Sequence, residues 1–375
     1  MNMTKLTKII ISATSILLIF GFSALGYFGY HFVESSKESS QFTDINKATG
    51  AYYFDNGTAD SAQNLLTELK TITDNGKSKL NNLRPEIANV DDQGFIKFQD
   101  WLNPASIKEY KKYANDLIPT IKGDQGYPKG GVASWQLLVR TAEKRQMAIN
   151  TINSLVISNN FDGIEIDFEP SFTTSPTVDS QPLKTADYED MLTFLDDLSQ
   201  VLSKQGKKLN IAIPAILPTP NTAQLYSYES ILAKKGLIDR MNSITMMTYD
   251  LNYGNDYIST APTEMLKGIL EVAKTKLGAY QNKFAFGLNA YGTCKNQSTK
   301  EVVQLQKKDM KIRNGWNNLT QDPKLVDGWD DTFLSDGSVC AFPNSQTMRN
   351  RIKLAKSYGF NNFVVWSISG NNWIN

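Results

Sequence analysis

Short apolar runs alternate with longer amphipathic stretches along most of the chain. The runs are rich in β-branched and aromatic residues and have the length of strands, whereas the stretches between them repeat apolar residues at helical spacing. The clearest helix is Thr185 to Lys204, with Leu195 and Leu198 on one face. The predicted strands are Gly50 to Phe54, Glu86 to Val90, Asp116 to Ile121, Phe161 to Glu169, Leu209 to Pro214, Ile244 to Tyr249, Phe284 to Asn289 and Asn362 to Ile368. The other predicted helices are Leu65 to Ile72, Ile107 to Asn115, Leu137 to Ile157, Gln224 to Lys235, Glu264 to Leu277 and Met348 to Tyr358.

This alternation predicts an α/β fold. Strands that alternate with helices form parallel βα units, and eight of them favour a closed (β/α)₈ TIM barrel over an open sheet. Only seven residues follow Ile368, too few for an eighth helix, so we expect that helix to be missing. The stretch from Gly292 to Asn344 is an overlong loop after strand 7. In such a barrel it extends from the C-terminal face, where ligands bind.

The N-terminal segment predicts export. Ile9 to Val33 contains no Asp, Glu, Lys or Arg over 25 residues, which exceeds the roughly 20 residues that span a bilayer as a helix. Lys5 and Lys8 precede it, so the N-terminus should stay cytoplasmic. A cleaved signal peptide is the alternative, with Ala24-Leu25-Gly26 as a small-x-small site. A buried core helix is disfavoured because the run is apolar on every face.

The domain organisation follows from this segment. We expect residues 1–33 to be a signal anchor or signal peptide, 34–47 a polar linker and 48–375 the barrel domain. The protein would then be membrane-anchored on the extracytoplasmic side, or secreted if the segment is cleaved. Cys294 and Cys340 are the only cysteines and both lie in the overlong loop. In an exported domain a disulfide between them is the favoured state, with two free buried thiols as the alternative.

Charge and histidine content exclude several classes of protein. The 39 basic and 38 acidic residues give a net charge of +1, so there is no strong field that would attract nucleic acid. The only histidine is His31, within the N-terminal apolar run. The barrel domain therefore has no Ser/His/Asp or Cys/His triad and no His-ligated zinc site. Carboxylates, tyrosine, lysine or serine must carry the chemistry of an enzyme built on this domain.

Three acidic residues follow one another on one face of the fourth predicted strand. Residues two apart in a strand share a face, so Glu165, Asp167 and Glu169 line up. Like charges on one face repel, and a central parallel strand is normally apolar on both sides, so a solvated edge strand is the less favoured interpretation. The residues fit glycosyl transfer, in which a crowded carboxyl keeps its proton, or a divalent-metal site.

At these residues the chain resembles glycoside hydrolase family 18, the chitinases and endo-β-N-acetylglucosaminidases. Asp162 to Glu169 reads DGIEIDFE and is similar to the family signature DGxDxDxE at the end of barrel strand 4. Glu165 stands where that signature has the first Asp of its DxDxE triplet. Met247-Thr248-Tyr249-Asp250 resembles the strand 6 motif MxYD.

Other strands extend the resemblance to the range from Ala48 to Gly370. Val365-Trp366-Ser367 resembles the family's strand 8, which ends in an indole, and Gly50-Ala51-Tyr52-Tyr53 is a looser version of the GYY of strand 1. The SxGG of strand 3 is replaced by Pro119-Thr120-Ile121-Lys122, more like the peptidoglycan-active and spore-type members.

The resemblance implies a retaining mechanism in which the substrate's own acetamide attacks the anomeric carbon. Glu169 would be the general acid, and Asp167 would share a proton with it and then orient the acetamide. Tyr249 would donate a hydrogen bond to the acetamide, and Glu165 would belong to a carboxyl relay behind Asp167. No cofactor or metal is implied. The implied substrate-binding residues are Asp250, Met247, Trp366 and Tyr52.

Several alternatives stay open at this point. A glycan-binding chitinase-like protein with weak or no activity is the second hypothesis, and a metal-dependent enzyme that uses the acidic triplet is the third. The partner would be a polysaccharide or oligosaccharide that contains N-acetylglucosamine, whether chitin, peptidoglycan or an N-glycan. Tryptophans could stack on its sugar rings. The candidates are Trp101, Trp135, Trp316, Trp329 and Trp373, of which we favour Trp135, Trp316 and Trp329.

Overall fold

The computed structural model describes most of the predicted barrel domain. Within the part of the chain that it describes, no helix is long and apolar enough to cross a membrane. The predicted N-terminal segment 1–33 and the linker 34–47 lie outside the described residues, and residues 48–375 belong to one compact unit. The described residues are 49–53, 61–74, 76–99, 104–123, 133–169, 185–218, 222–251, 258–296, 298–299, 301–305, 331–335 and 338–368.

Strands and helices alternate as the sequence predicts. The strands are β1 Thr49–Tyr53, β2 Leu80–Val90, β3 Ile96–Phe98, β4 Ala114–Leu117, β5 Thr120–Gly123, β6 Gly163–Asp167, β7 Lys208–Pro214, β8 Ser243–Met247, β9 Phe284–Asn289, β10 Gly292–Asn296, β11 Val302–Leu305, β12 Asp331–Ser335, β13 Ser338–Phe342 and β14 Asn362–Trp366. The helices are α1 Ser61–Ile72, α2 Pro104–Tyr110, α3 Ser134–Val139, α4 Ala142–Ser158, α5 Thr185–Ser203, α6 Thr222–Ala233, α7 Lys235–Arg240, α8 Thr263–Leu277 and α9 Ser345–Ser357, with a 3₁₀ turn at Gly278–Lys283.

Eight parallel strands close into a barrel. Their order is β1, β14, β9, β8, β7, β6, β5 and β2, and β2 pairs with β1 to complete the circle. Every pairing around this circle is parallel. The predicted TIM barrel is therefore confirmed. The position of the predicted missing eighth helix, after Ile368, lies outside the described residues.

Most helices differ from their predicted bounds by a few residues at an end, and two differ in kind. The single helix predicted from Leu137 to Ile157 is two helices, α3 and α4, because Thr141 adopts an extended conformation and its side chain accepts a hydrogen bond from the Lys144 amide to cap α4. The helix predicted to reach Asn115 ends at Tyr110. The residues beyond it form β4, which pairs with the first half of β2 while β5 pairs with the second half.

The strand predicted to begin at Glu86 begins earlier, at Leu80. Proline is normally excluded from central strands because it cannot donate a ladder hydrogen bond. In the structure Pro85 lies inside β2 opposite Tyr53, and the pairing with β5 shifts register between Glu86 and Ala88. The predicted start at Glu86 is therefore wrong, and β2 extends through Pro85 back to Leu80.

The stretch predicted as an overlong loop after strand 7 contains a sheet. Strands β11, β10, β13 and β12 pair antiparallel in that order, and this four-stranded unit is called the insertion sheet below. Cys294 on β10 lies opposite Cys340 on β13, and the two form the expected disulfide. The predicted loop after β9 therefore contains a sheet, and a disulfide joins two strands of that sheet.

Candidate active site

The acids of β6 lie where this strand ends in the barrel. Glu165 is 0% and Asp167 is 3% exposed, so both carboxyls are buried. Phe168, between Asp167 and Glu169, stacks instead on Phe194 of α5, with ring centroids 5.9 Å apart. Because successive side chains in a strand alternate, the aromatic residue packs against the helix layer while its acidic neighbours take the other side.

Two of the predicted site residues have an unusual backbone conformation. Glu169 has φ 44° and Asp250 has φ 58°, both in the left-handed region. Residues with side chains adopt this region rarely, and such conformations are concentrated at functional sites, where the surrounding structure enforces them. Glu169 follows β6 by two residues and Asp250 follows β8 by three. Both therefore lie at the C-terminal ends of barrel strands, where TIM-barrel enzymes carry their active sites.

Glu165 is part of a buried network that the sequence did not predict. The Tyr52 hydroxyl donates a hydrogen bond to Glu165 Oε1, and Arg84 Nη1 lies 2.8 Å from Glu165 Oε2. Burial raises the pKa of the Glu165 carboxyl, and the Arg84 charge and the Tyr52 hydrogen bond act in the opposite direction. Glu165, whose side chain is longer than that of the Asp in the family signature, thus has a cationic partner in Arg84.

The surroundings of Asp167 favour its protonated form. Burial raises its pKa well above the ordinary value, and the nearby Glu169 and Glu165 carboxylates raise it further, while Lys122 opposes them. Its Oδ1 atom accepts no hydrogen bond from the residues that the structure describes. A buried carboxyl with a free acceptor atom and a raised pKa can exchange a proton with a neighbour and bind a donor on a ligand.

Glu86 and Lys122 add two charged groups to this edge of the barrel. Burial raises the pKa of Glu86, and the Lys122 charge lowers it while Glu169 raises it. Lys122 on β5 is in register with Asp167 on β6. The ammonium group of Lys122 also lies 5.8 Å from the centre of the Trp366 ring. Neither residue was predicted for the site.

The predicted residues after β8 lie beside the loop that follows β9. Tyr249 is buried, and burial raises the pKa of its hydroxyl well above the ordinary value. Its ring meets the Tyr291 ring edge-on at 6.4 Å. The Tyr291 hydroxyl donates a hydrogen bond to Asp250 Oδ1, which counteracts the rise that burial causes in the pKa of Asp250. Met247, the last residue of β8, is half-buried.

The aromatic residues of β1 and β14 form the floor of the same region. Trp366 packs against Tyr52 with ring centroids 5.0 Å apart, and both belong to a cluster with Val364 and Ala285 in the barrel interior. Tyr52 is 2% exposed and Trp366 is half-buried. Trp366 therefore presents part of its ring at the end of the barrel.

The prediction that Trp135 is a sugar-stacking platform is wrong. Trp135 is only 2% exposed, and its ring stacks on Phe168 at 6.2 Å, so its face is used in packing. The other four tryptophans proposed as platforms lie outside the described residues; they are Trp101, Trp316, Trp329 and Trp373.

The structure thus gathers the predicted acids and their unpredicted neighbours at one end of the barrel. Arg84 lies in the part of β2 that precedes the predicted start at Glu86, so the prediction did not place it in a strand. Tyr291 lies directly before the insertion sheet, between the predicted strand that ends at Asn289 and the predicted loop that begins at Gly292. Among the described residues, no group of three or more His, Cys, Asp or Glu side chains is placed to hold a metal ion.

A closed parallel barrel with buried acids at the C-terminal end of its β6 strand is the architecture of a family of glycosidases. The sequence model of glycosyl hydrolases family 18 matches residues 28–371. The chain therefore belongs to glycosyl hydrolase family 18, and the predicted family and enzyme class, a glycosidase, are confirmed. A sequence search of curated proteins found no match.

Solved structures share this fold at low sequence identity. A chitinase from Chromobacterium violaceum ATCC 12472 has a TM-score of 0.63 and 17% identity, over 88% of this chain and 96% of that one. The spore cortex-lytic enzyme SleL of Bacillus megaterium QM B1551 has a TM-score of 0.62 and 14% identity, over 88% and 72%. Ostrinia furnacalis Group IV chitinase in complex with allosamidin has a TM-score of 0.62 and 16% identity, over 86% and 92%.

Proposed function

We propose that the protein hydrolyses β-linked glycans that contain N-acetylglucosamine, by a retaining mechanism assisted by the substrate's acetamide. The observation that carries this proposal is the position of Asp167, two residues before Glu169. It is a buried carboxyl with a raised pKa, and its Oδ1 atom accepts no hydrogen bond from the described part of the chain. A carboxyl that resists ionisation beside a second carboxyl is the arrangement that separates acid from stabiliser in glycosidases.

In the first step Glu169 donates its proton to the glycosidic oxygen. The bond between that oxygen and the anomeric carbon breaks, and its electron pair goes to the leaving alcohol. The acetamide carbonyl oxygen forms a bond to the anomeric carbon, and Asp167 accepts the hydrogen bond of the acetamide N–H as positive charge develops there. No nucleophile from the protein is needed.

In the second step the Glu169 carboxylate removes a proton from water. The water oxygen adds to the anomeric carbon from the face that the leaving group vacated, and the bond to the acetamide oxygen breaks. Two inversions at one carbon retain its configuration. The same residue thus serves as acid and then as base.

Other residues of the site would hold the sugar. The Tyr249 hydroxyl, whose raised pKa keeps it protonated at neutral pH, would donate to the acetamide carbonyl. Asp250, oriented by Tyr291, would bind a hydroxyl or the acetamide region. The ring of Trp366 and the neighbouring Tyr52 would pack against the pyranose and the acetamide methyl. Met247 would contribute apolar contact.

Release of the aryl group from an aryl chitobioside tests this proposal. Because general acid catalysis contributes about 10²- to 10⁴-fold, Glu169→Gln should lose at least that much turnover while its affinity for chitooligosaccharide stays close to that of the wild type. Hydrolysis unaffected by Glu169→Gln would overturn the role of this residue. A wild type that binds chitooligosaccharide but does not hydrolyse it would instead be a glycan-binding protein, and inhibition by EDTA would favour the metal-dependent alternative.

The nature of the glycan requires a separate comparison. Chitin, peptidoglycan and N-glycan cores all offer N-acetylglucosamine at a cleavage point, and the neighbours in structure include both chitinases and a spore cortex-lytic enzyme. Mass-spectrometric analysis of the products released from these three polymers distinguishes them and also separates endo from exo cleavage.

We also infer that the barrel domain acts outside the cytoplasm. The apolar stretch from Ile9 to Val33 and the disulfide between Cys294 and Cys340 support this, because disulfides persist in oxidising compartments. Fractionation of expressing cells, with protease added to intact cells, tests the location. The mass of the mature N-terminus then separates a retained anchor from a cleaved signal peptide.

A further inference from the structure

A fully buried ion pair lies next to the proposed catalytic carboxyls. Arg84 and Glu165 approach to 2.8 Å, with side chains 1% and 0% exposed. The two residues come from β2 and β6, which are separated by β5 in the barrel wall. Nothing in the proposed hydrolysis requires an arginine at this position, so the pair calls for its own explanation.

Several contacts fix the guanidinium group of Arg84. Its Nε donates to Asn82 Oδ1 at 2.7 Å and its Nη1 donates to Thr245 Oγ1 at 2.6 Å. Its central carbon lies 5.5 Å from the centre of the Tyr52 ring. A Cβ atom at Gly50 would lie 2.3 Å from Asn82 Oδ1, so a glycine is required there to leave room for the amide that orients Arg84.

The pair is ionised. Arginine does not lose its proton in proteins, so a neutral Glu165 would leave a buried cation without a counter-charge, which is strongly unfavourable. The Tyr52 hydroxyl adds a hydrogen bond to the charged form of Glu165. The pair therefore holds one positive and one negative charge, and its net charge is zero.

Asp167 is the titratable group whose pKa depends on this pair. Glu165 lies two residues before it on the same strand, and the Glu165 charge raises the pKa of Asp167. Glu169, Lys122 and Glu86 also bear on Asp167. The hydroxyls of Tyr52 and Tyr249 face it as well, since the Asp167 charge raises the pKa of both.

We propose that Arg84 is a positioning residue of the hydrolysis. It fixes the Glu165 carboxylate and offsets part of its charge beside Asp167, so that the working proton is shared by Asp167 and Glu169 and does not spread over three carboxyls. Arg84 thereby sets the pH range in which the site holds one proton. This inference rests on the proposed function.

The proposal is tested by changing the charge of the pair and measuring kcat/KM as a function of pH. The quantity compared is the pH at which kcat/KM falls on the acidic side, called the acidic limb. Activity falls at low pH when the Asp167–Glu169 pair gains a second proton. Arg84→Gln makes the surroundings more negative, so this proton binds at higher pH and the limb should move up by about 0.5 to 1 pH unit. Glu165→Gln makes them more positive, so the limb should move down. The double variant Arg84→Gln/Glu165→Gln should return the limb to the wild-type position.

The double variant also protects the test against loss of folding. Removal of one partner of a buried pair is destabilising, whereas replacement of both by neutral groups is tolerated much better. If Arg84→Gln alone does not fold, the upward movement of the limb between Glu165→Gln and the double variant measures the same charge effect. Arg240→Gln is the matched control, since Arg240 pairs with Asp196 between α7 and α5 on the outside of the barrel. It should lower stability without moving the limb.

The outcomes separate this inference from the function on which it rests. A wild type without hydrolysis at any pH would overturn both. A wild type that hydrolyses the aryl chitobioside, with a limb that neither Glu165→Gln nor the double variant moves, would overturn the role of Arg84 alone. Movement of the limb in the Arg240→Gln control would show that stability governs it, and would also overturn that role.

Discussion

At the scale of single residues, several proposed site residues have positions or backbone conformations that lower the stability of the fold. Asp167 is buried beside two other carboxyls, and both its burial and the charges of Glu169 and Glu165 raise its pKa. Glu169 and Asp250 hold a backbone conformation that is rare outside glycine. Each of these features lowers stability and each belongs to a proposed catalytic or binding residue, as is usual where function constrains a sequence.

Asp167→Asn should therefore raise the melting temperature while it abolishes activity. The folded-state pKa of Asp167 lies above its ordinary value of about 3.9, so the folded protein binds the proton more tightly than the unfolded chain does. Stability is thus full below the ordinary pKa and falls as the pH rises to the folded-state pKa. The gain from Asp167→Asn should be absent near pH 3 and present at neutral pH.

Melting temperatures of both proteins across this pH range check the prediction. Glu189→Gln, at an exposed carboxyl on α5, is the control and should show no such dependence. A gain of equal size at every pH would mean that the asparagine improves packing and that ionisation of Asp167 carries no penalty.

The acids of the site are predictable from the sequence, whereas their partners are not. The period-two spacing of Glu165, Asp167 and Glu169 is local, so one strand is enough to reveal it. Arg84 lies on a different strand, and its contact with Glu165 depends on barrel closure, which sequence spacing does not encode. Trp135 was predicted as a sugar platform because it lies beside stretches expected on the C-terminal face of the barrel. The position of a lone tryptophan in the sequence does not show which way its ring points, and here it stacks on Phe168.

At the scale of elements, repeated patterns were predictable and irregular ones were not. Strand β9 coincides with its predicted range, Phe284 to Asn289, because it is a continuous apolar run between clear boundaries. Strand β2 begins at Leu80, before its predicted start at Glu86, and it contains both Pro85 and a register shift between Glu86 and Ala88. The insertion sheet was predicted as a loop. Its short strands show no strong alternation of apolar and polar residues, and they are held by strand pairing and by the disulfide.

Loss of the disulfide should destabilise the insertion sheet. Cys294 and Cys340 are separated by 46 positions, and closing a loop of that size stabilises by about 4 kcal/mol in the chain-entropy account. We expect Cys294→Ala/Cys340→Ala to lower the melting temperature measured without reductant, and dithiothreitol to lower that of the wild type alone. Two free thiols detected by alkylation of the unfolded, unreduced wild type would contradict the bond itself.

At the scale of the whole molecule, the barrel brings residues of five strands to the proposed active site. Tyr52, Arg84, Asp167, Tyr249 and Trp366 come from or follow β1, β2, β6, β8 and β14. The count of eight βα units was enough to predict this closure, since parallel strands of that number form a barrel more readily than an open sheet. Membership of glycosyl hydrolase family 18 over residues 28–371 agrees with that prediction.

The configuration of the first product tests the central claim most directly. If the substrate's acetamide is the nucleophile and Glu169 the acid, hydrolysis of a chitooligosaccharide must release the β-anomer first, and time-resolved proton NMR should record it before mutarotation mixes the anomers. Immediate release of the α-anomer, or no release at all from protein that binds the oligosaccharide, would contradict the account.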